Sequence, residues 1–301
     1  MEFPLLFDLP VELQEIIISY SSIEWRRINS EYKRISNRYL LSDYRFKLVR
    51  YNNTVIRWAS ENGYLEIVEL LLNDKRVDPS AKDNVAIRWA SKNGHSEVVK
   101  LLLADKRVDP SAEDNHAIGL ASKNGHLEVV KILLLDKRVD PSAENNCAIR
   151  GASHNGNLEV VKLLLADKRI DPSAENNCAI RGASHNGNLE VVKLLLADKR
   201  IDPSDGDNNA ISWASNNGHL EIVKLLLNDE RVDPSARDNK AIRGASEKGH
   251  LEVVKLLLND KRVDPSVNNN YAIRWANKNG HLEVVKLLLL DERVDFNIIN
   301  E

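Results

Sequence analysis

The chain has 301 residues, with 42 basic against 45 acidic and a formal charge of -3, a balance that gives no field to recruit a phosphate backbone or an anionic membrane, so neither nucleic acid nor membrane is an expected partner. No apolar run reaches the roughly 20 residues needed to cross a bilayer, and the N-terminus lacks the basic start and apolar core of a signal peptide. Cys147 and Cys178 are the only cysteines, which fits a soluble protein in the reducing cytoplasm.

Residues 1–43 read as a small helical module. Leu9-Pro10-Val11-Glu12-Leu13 opens a proline-started helix with an apolar face at Leu13, Ile16, Ile17 and Tyr20. A basic amphipathic segment follows through Trp25, Ile28, Tyr32 and Ile35. The stretch resembles an F-box at Leu9, Pro10, Glu12, Leu13, Ile17, Ile28, Asn29 and Tyr32, with a shorter gap between its halves than the family has. The resemblance implies docking of a Skp-type adaptor of a cullin-RING ubiquitin ligase through Leu9, Pro10, Leu13, Ile16 and Ile17. The alternative is that the helices only cover the apolar face of the first repeat, as a solenoid end requires. Residues 44–52 then lead into the array.

From 53 to 301 a unit of 31 residues recurs eight times without insertion, starting near 53, 84, 115, 146, 177, 208, 239 and 270. Such a period marks a solenoid, whose repeats bury their apolar faces only against neighbours. Asp-Pro pairs from Asp78-Pro79 to Asp264-Pro265 keep the beat, and the last unit has Asp295-Phe296 instead. In the third unit Asn115 is expected to N-cap a short helix through Ala117, Ile118, Ala121 and Ser122. Asn124-Gly125 should stop that helix, with glycine left-handed. A second helix, Leu127–Leu135, is apolar except at Glu128 and Lys131, so nearly its whole circumference is expected to be buried. The tight connection makes the two helices antiparallel, and proline bars helix from a link expected to be extended.

This pattern resembles the ankyrin repeat, in a slightly shortened unit with Ala-Ile-Arg where the family has Thr-Pro-Leu-His. The resemblance implies an all-α ankyrin-repeat solenoid with stubby loops and almost no strand, about 80 Å long if each unit adds about 10 Å. The phrasing is also similar to ankyrin proteins encoded by giant DNA viruses, which would put the chain in a host cytoplasm.

Packing explains the invariant columns, so function is expected in the columns that vary. The residue after Asn runs Thr54, Val85, His116, Cys147, Cys178, Asn209, Lys240, Tyr271. The residue after Arg runs Trp58, Trp89, Leu120, Gly151, Gly182, Trp213, Gly244, Trp275. The first helix ends at Glu61, Lys92, Lys123, His154, His185, Asn216, Glu247 and Lys278, and the link varies at Lys82, Glu113, Glu144, Glu175, Gly206, Arg237 and Asn268. The ankyrin resemblance implies a groove at the loop tips and the exposed side of the first helix. It nominates Trp58, Trp89, Trp213, Trp275, His116, Tyr271, Lys92, Lys123, His154 and His185 as partner contacts. Two readings of the Trp/Gly column stand: packing that tolerates both sizes, or aromatic anchors around a glycine floor.

The Arg column (Arg57, Arg88, Arg150, Arg181, Arg243, Arg274) is either an anion ladder or a set of donors to carbonyls and aspartates of neighbouring links. His95, His126, His219, His250 and His281 share one position, but zinc ligands must each lie about 2 Å from the metal, and equivalent residues stand about 10 Å apart. No metal, cofactor or catalytic group is expected. By the same spacing Cys147 and Cys178 exceed the roughly 7 Å reach of a disulfide and are expected as free thiols. The stretch from Asp140 to Ser173 is identical to that from Asp171 to Ser204, which either lengthens the scaffold or repeats one weak contact for avidity. The expected protein is a monomeric, non-enzymatic binder of another protein. It is a substrate-recruiting adaptor for a ubiquitin ligase or, alternatively, a plain scaffold. The last unit keeps Val284, Val285, Leu287 and Leu288 with little to cover them, so fraying or end-to-end association is expected there.

Overall fold

Each 31-residue unit becomes a pair of antiparallel helices joined at Asn-Gly, or at Lys248-Gly249 in the seventh unit. The computed structural model describes residues 53–295, and the chain divides into two compact units, 1–54 and 55–301. The F-box-like stretch, with Leu9, Pro10, Leu13, Ile16 and Ile17, lies outside the described residues, as does everything after Asp295. Among the described residues there are sixteen helices and no strand.

The first helices are α1 (Thr54–Glu61), α3 (Ala81–Lys92), α5 (Ala112–Lys123), α7 (Ala143–Asn155), α9 (Ala174–His185), α11 (Asp205–Asn216), α13 (Ala236–Glu247) and α15 (Val267–Lys278). The second helices are α2 (Leu65–Leu72), α4 (Ser96–Ala104), α6 (Leu127–Leu135), α8 (Leu158–Ala166), α10 (Leu189–Leu196), α12 (Leu220–Leu227), α14 (Leu251–Leu258) and α16 (Leu282–Leu288). First helices pack on first helices, second on second, and each first helix on its own partner. Alanine makes the close approach possible: Ala117 and Ala121 are wholly buried, as are their counterparts Ala148, Ala152, Ala179 and Ala183. Ile118, Val129, Val130 and Leu133 fill the space between the two rows.

The turn at Gly125 forms as its sequence implies. Its φ is +79°, a region that glycine enters without a Cβ clash, and His126 N–H then donates to the Ala121 carbonyl at 3.0 Å.

Three expectations are corrected. First, α6 is not buried all round: Val129, Val130 and Leu133 are buried, but Leu127, Ile132 and Leu134 are half-buried and Leu135 is 84% exposed. The second helices form an outer row, with neighbours on three sides at most. Second, the Asn column does not cap. Glu113, Asp114 and Asn115 all have left-handed backbone, with φ of 54°, 53° and 62°, where an N-cap would be extended. The same triplet recurs from Lys82-Asp83-Asn84 to Asn268-Asn269-Asn270. Third, the link is a chain of turns rather than an extended run. Val108 N–H donates to the Asp105 carbonyl at 3.0 Å, and Asp109 Oδ1 accepts from both Ser111 N–H at 2.9 Å and Ser111 Oγ–H at 2.6 Å.

A left-handed residue other than glycine costs about 1–2 kcal/mol, so a triplet must be held from outside. Arg150 does so within its own unit, donating from Nε to the Asn145 carbonyl at 2.9 Å and from Nη2 to the Glu144 carbonyl at 2.8 Å. The link that closes the same unit does the rest: Asp171 N–H donates to Asn146 Oδ1 at 2.8 Å. That bond recurs in every unit from Asn84 with Asp109 to Asn270 with Asp295.

Candidate partner-binding surface

The recurring Asp-x-Arg pair joins units. Arg107 is clamped by Asp105 and donates from Nη1 to the Val77 carbonyl of the preceding unit at 2.7 Å. Arg138, Arg169, Arg200, Arg231, Arg262 and Arg293 each repeat this step back. The guanidinium beside Asp105 holds that carboxyl below the usual carboxylate range. The other Arg column bonds carbonyls of the adjoining link, one of its two expected roles, as Arg88 does with Asp83 and Lys82. Reaching the neighbour falls to the Asp-x-Arg arginine, which the sequence presents as an ordinary surface charge.

The histidine column closes the other end of each junction. His95 Nε2 lies 2.9 Å from the Glu61 carbonyl, and His126 Nε2 lies 2.8 Å from that of Lys92. A carbonyl only accepts, so Nε2 carries the proton. Where asparagine replaces histidine, Asn157 Nδ2 makes the same contact with the Lys123 carbonyl at 2.9 Å. The acceptors are backbone atoms of the column that varies most in charge. That column can therefore change side chain from Glu61 through Lys123 to His185 without disturbing a junction. Among the described residues no group of histidine, cysteine or carboxylate side chains is arranged to hold a metal ion. Cys147 and Cys178 are free thiols, and burial pushes the Cys147 thiol up, away from the reactive thiolate.

The nominated residues divide into clusters. Trp89 is 39% exposed, and Trp58, Trp213 and Trp275 are half-buried, so none belongs to the core. Trp58 lies 4.9 Å from the Tyr64 ring. Trp213 meets His185 edge-on at 5.5 Å, with the Arg181 guanidinium 5.8 Å from its ring. Trp275 stacks on Tyr271 at 5.5 Å, and Lys278 Nζ stands 4.3 Å over it. His116, Lys92, Lys123, His154 and His185 are exposed. The glycines of the Trp column are close approaches: a Cβ on Gly151 would stand 3.1 Å from Lys123 Cβ, and one on Gly182 would stand 3.4 Å from His154 Cβ.

Glu247 and Arg243 complete the Tyr271 cluster; the sequence places each in a column of its own and does not join either to Tyr271. Tyr271 donates its hydroxyl to Glu247 Oε2 at 2.9 Å, and the Arg243 guanidinium lies 5.0 Å from its ring. Burial and this bond raise the Tyr271 phenol. Pairing the end of one first helix with the start of the next, instead of comparing columns one at a time, would have exposed the contact.

The link tips form a second, acidic row. Glu113, Asp114, Glu144, Glu175 and Asp207 are exposed, and the row is tied across units by Asn145 Nδ2 to Glu175 at 2.7 Å and by Arg237 to Asp207 at 2.8 Å. The family model for ankyrin repeats matches residues 58–145, 87–176, 149–238 and 230–300. No curated protein matches the chain.

Proposed function

This chain belongs to the ankyrin-repeat family of protein-interaction scaffolds, and from that premise we propose that it recruits a protein on the exposed face of its first helices for a ubiquitin ligase. One observation carries the binding face: the recurring link arginines and asparagines spend their polar groups on contacts between and within units, while the exposed charges and aromatics of the first helices change from unit to unit. The ligase step rests on the Leu9-Pro10-Val11-Glu12-Leu13 opening and the later Ile28, Asn29 and Tyr32. In this reading Leu9, Pro10, Leu13, Ile16 and Ile17 engage a Skp-type adaptor, and the array holds the substrate. No described helix is long and apolar enough to cross a membrane.

Affinity purification of the intact chain tests both parts. The expected result is one protein partner lost on Trp58→Ala with Trp89→Ala, and an adaptor with its cullin lost on Leu9→Ala with Ile17→Ala. A partner retained by the tryptophan variant would move the binding face elsewhere. Recovery of the partner without any cullin component would leave a plain sequestering scaffold.

A further inference from the structure

Basic charge collects on the last two first helices. α13 and α15 carry five basic side chains against two acidic ones, whereas α5, α7 and α9 together carry three against four. Asparagine also replaces the acidic tip of the last unit, at Asn268 and Asn269. The Arg237 guanidinium is spent on Asp207, at 2.8 Å. Arg243 donates to the Asp238 and Arg237 carbonyls, at 2.8 and 3.0 Å, and Arg274 reaches only the Asn268 carbonyl, at 3.5 Å. Lys240 and Lys278 have neither a hydrogen-bond acceptor nor a carboxylate partner among the described residues. Four cations are thus left without a carboxylate, against the exposed Asp238 and against Glu247, which is tied to the Tyr271 hydroxyl. α3 is basic too, but there Lys92 is opposed by Glu61 of the neighbouring α1.

The aromatic pair between these cations favours an anion as well. Tyr271 and Trp275 stack at 5.5 Å, with the Arg243 guanidinium 5.0 Å from the Tyr271 ring and Lys278 Nζ 4.3 Å from that of Trp275. An aromatic ring is negative on its face and positive at its edge, so these rings, with cations over their faces, leave positive edges uncovered. The Trp275 indole N–H can only donate, and it has no acceptor among the described residues. Burial, and then the Arg237 and Arg243 guanidiniums, push the half-buried Lys240 ammonium down; a carboxylate set beside it would act the other way. The patch does not suit a lone phosphate, because the Arg243 fork is turned to carbonyls and the cations are dispersed over two helices. Nor does it suit a nucleic acid, whose bases stack on free ring faces.

Resting on the binding face assigned above, we propose that α13 and α15 receive an acidic segment of the recruited protein, a run of Asp and Glu whose carboxylates meet Lys240, Arg243, Arg274 and Lys278 and accept from the Trp275 indole N–H. An ionised carboxylate only accepts, and the side chains of these five residues only donate. The cations are partly or fully open to solvent, so the contact selects the partner and speeds its association more than it adds raw affinity.

Fluorescence anisotropy with three labelled peptides tests this on the full chain. One alternates Glu with Gly, the second has Gln in place of every Glu, and the third has Lys. The Glu peptide is expected to bind about tenfold more tightly than the Gln peptide, with the Lys peptide weakest and the advantage shrinking as salt rises. Lys240→Asn with Lys278→Asn, which copies Asn209 and Asn216 of the sixth unit, should remove that advantage. Lys106→Asn with Lys137→Asn takes the same charge from two exposed link lysines elsewhere and should leave it intact. Equal binding of the Glu and Gln peptides, or an equal loss in both variants, would overturn the assignment. So would an equally charged oligothymidine or phosphoserine peptide that binds more tightly than the Glu peptide. Should the assignment fall while the recruited protein still depends on Trp58 and Trp89, the binding face stands and only the acidic segment is lost. Should the Glu peptide bind as expected while that dependence is absent, the acidic site stands and the tryptophans are not part of the face.

Discussion

Ser60, Ser91, Ser122, Ser153, Ser184, Ser215 and Ser246 are wholly buried between the first helices, and their hydroxyls find no hydrogen-bond partner. A buried polar group without a partner costs about 1–3 kcal/mol, whereas its removal leaves only a cavity of one oxygen. Alanine already fills the adjoining buried position, at Ala121 beside Ser122, so the site admits the smaller side chain. Ser122→Ala should therefore raise stability by about 1 kcal/mol, read as a higher midpoint in guanidinium unfolding at unchanged slope. A drop of similar size would show that the hydroxyl has a bond or packing contact that outweighs its desolvation. The tryptophan column yields to the same kind of residue-level test. Its partial exposure sets it outside the core, which the sequence left open because Trp, Leu and Gly alternate there with no periodicity to separate packing from surface.

At the scale of the element, the helices were legible and the link was not. Leu127–Leu135 has in the structure the bounds its apolar run and Asn-Gly stop imply, since both signals act within a few residues. The link escaped because asparagine serves equally as an N-cap and as a left-handed residue. The choice between them is made by Asp171 N–H near the end of the same unit, far along the chain from Asn146. The four varying columns could be read from the chain one at a time, while the partners of their side chains, such as Glu247 for Tyr271, emerge only when the end of one first helix is paired with the start of the next. The left-handed triplet can be tested directly. Asn177→Ala removes both the side chain that tolerates φ of 53° and the acceptor for Asp202 N–H at 2.9 Å. The expected loss is about 2–3 kcal/mol in chemical unfolding. Glu144→Gly relieves strain at a position where Gly206 already occurs with φ of 64°, so it should leave stability unchanged or slightly higher. An Asn177→Ala chain as stable as the parent would mean that the turn is held without its bond to the Asp202 N–H.

For residues 55–295, every junction is built from the same two kinds of contact: an arginine to a link carbonyl, and a histidine or asparagine to the end of a first helix. Each reaches only the adjoining unit, so stability should be a sum over units and nearest-neighbour junctions. The duplication allows an unusually clean test. Residues 143–173 are identical to 174–204, so deleting 143–173 joins Ser142 to Ala174 and creates no sequence absent from the native chain. The shortened array should fold cooperatively, with the denaturant slope lower by about one part in eight, because that slope follows the surface exposed on unfolding, and with a modestly lower midpoint. An unchanged slope would mean that the array does not unfold as one body, and loss of folding would mean that a contact beyond nearest neighbours holds it. The deletion also separates the two explanations of the duplication. It leaves one copy of the His154 and Glu144 pair, so a partner that reads two copies should bind at least about tenfold more weakly, whereas one that needs only the scaffold's length elsewhere should bind as before.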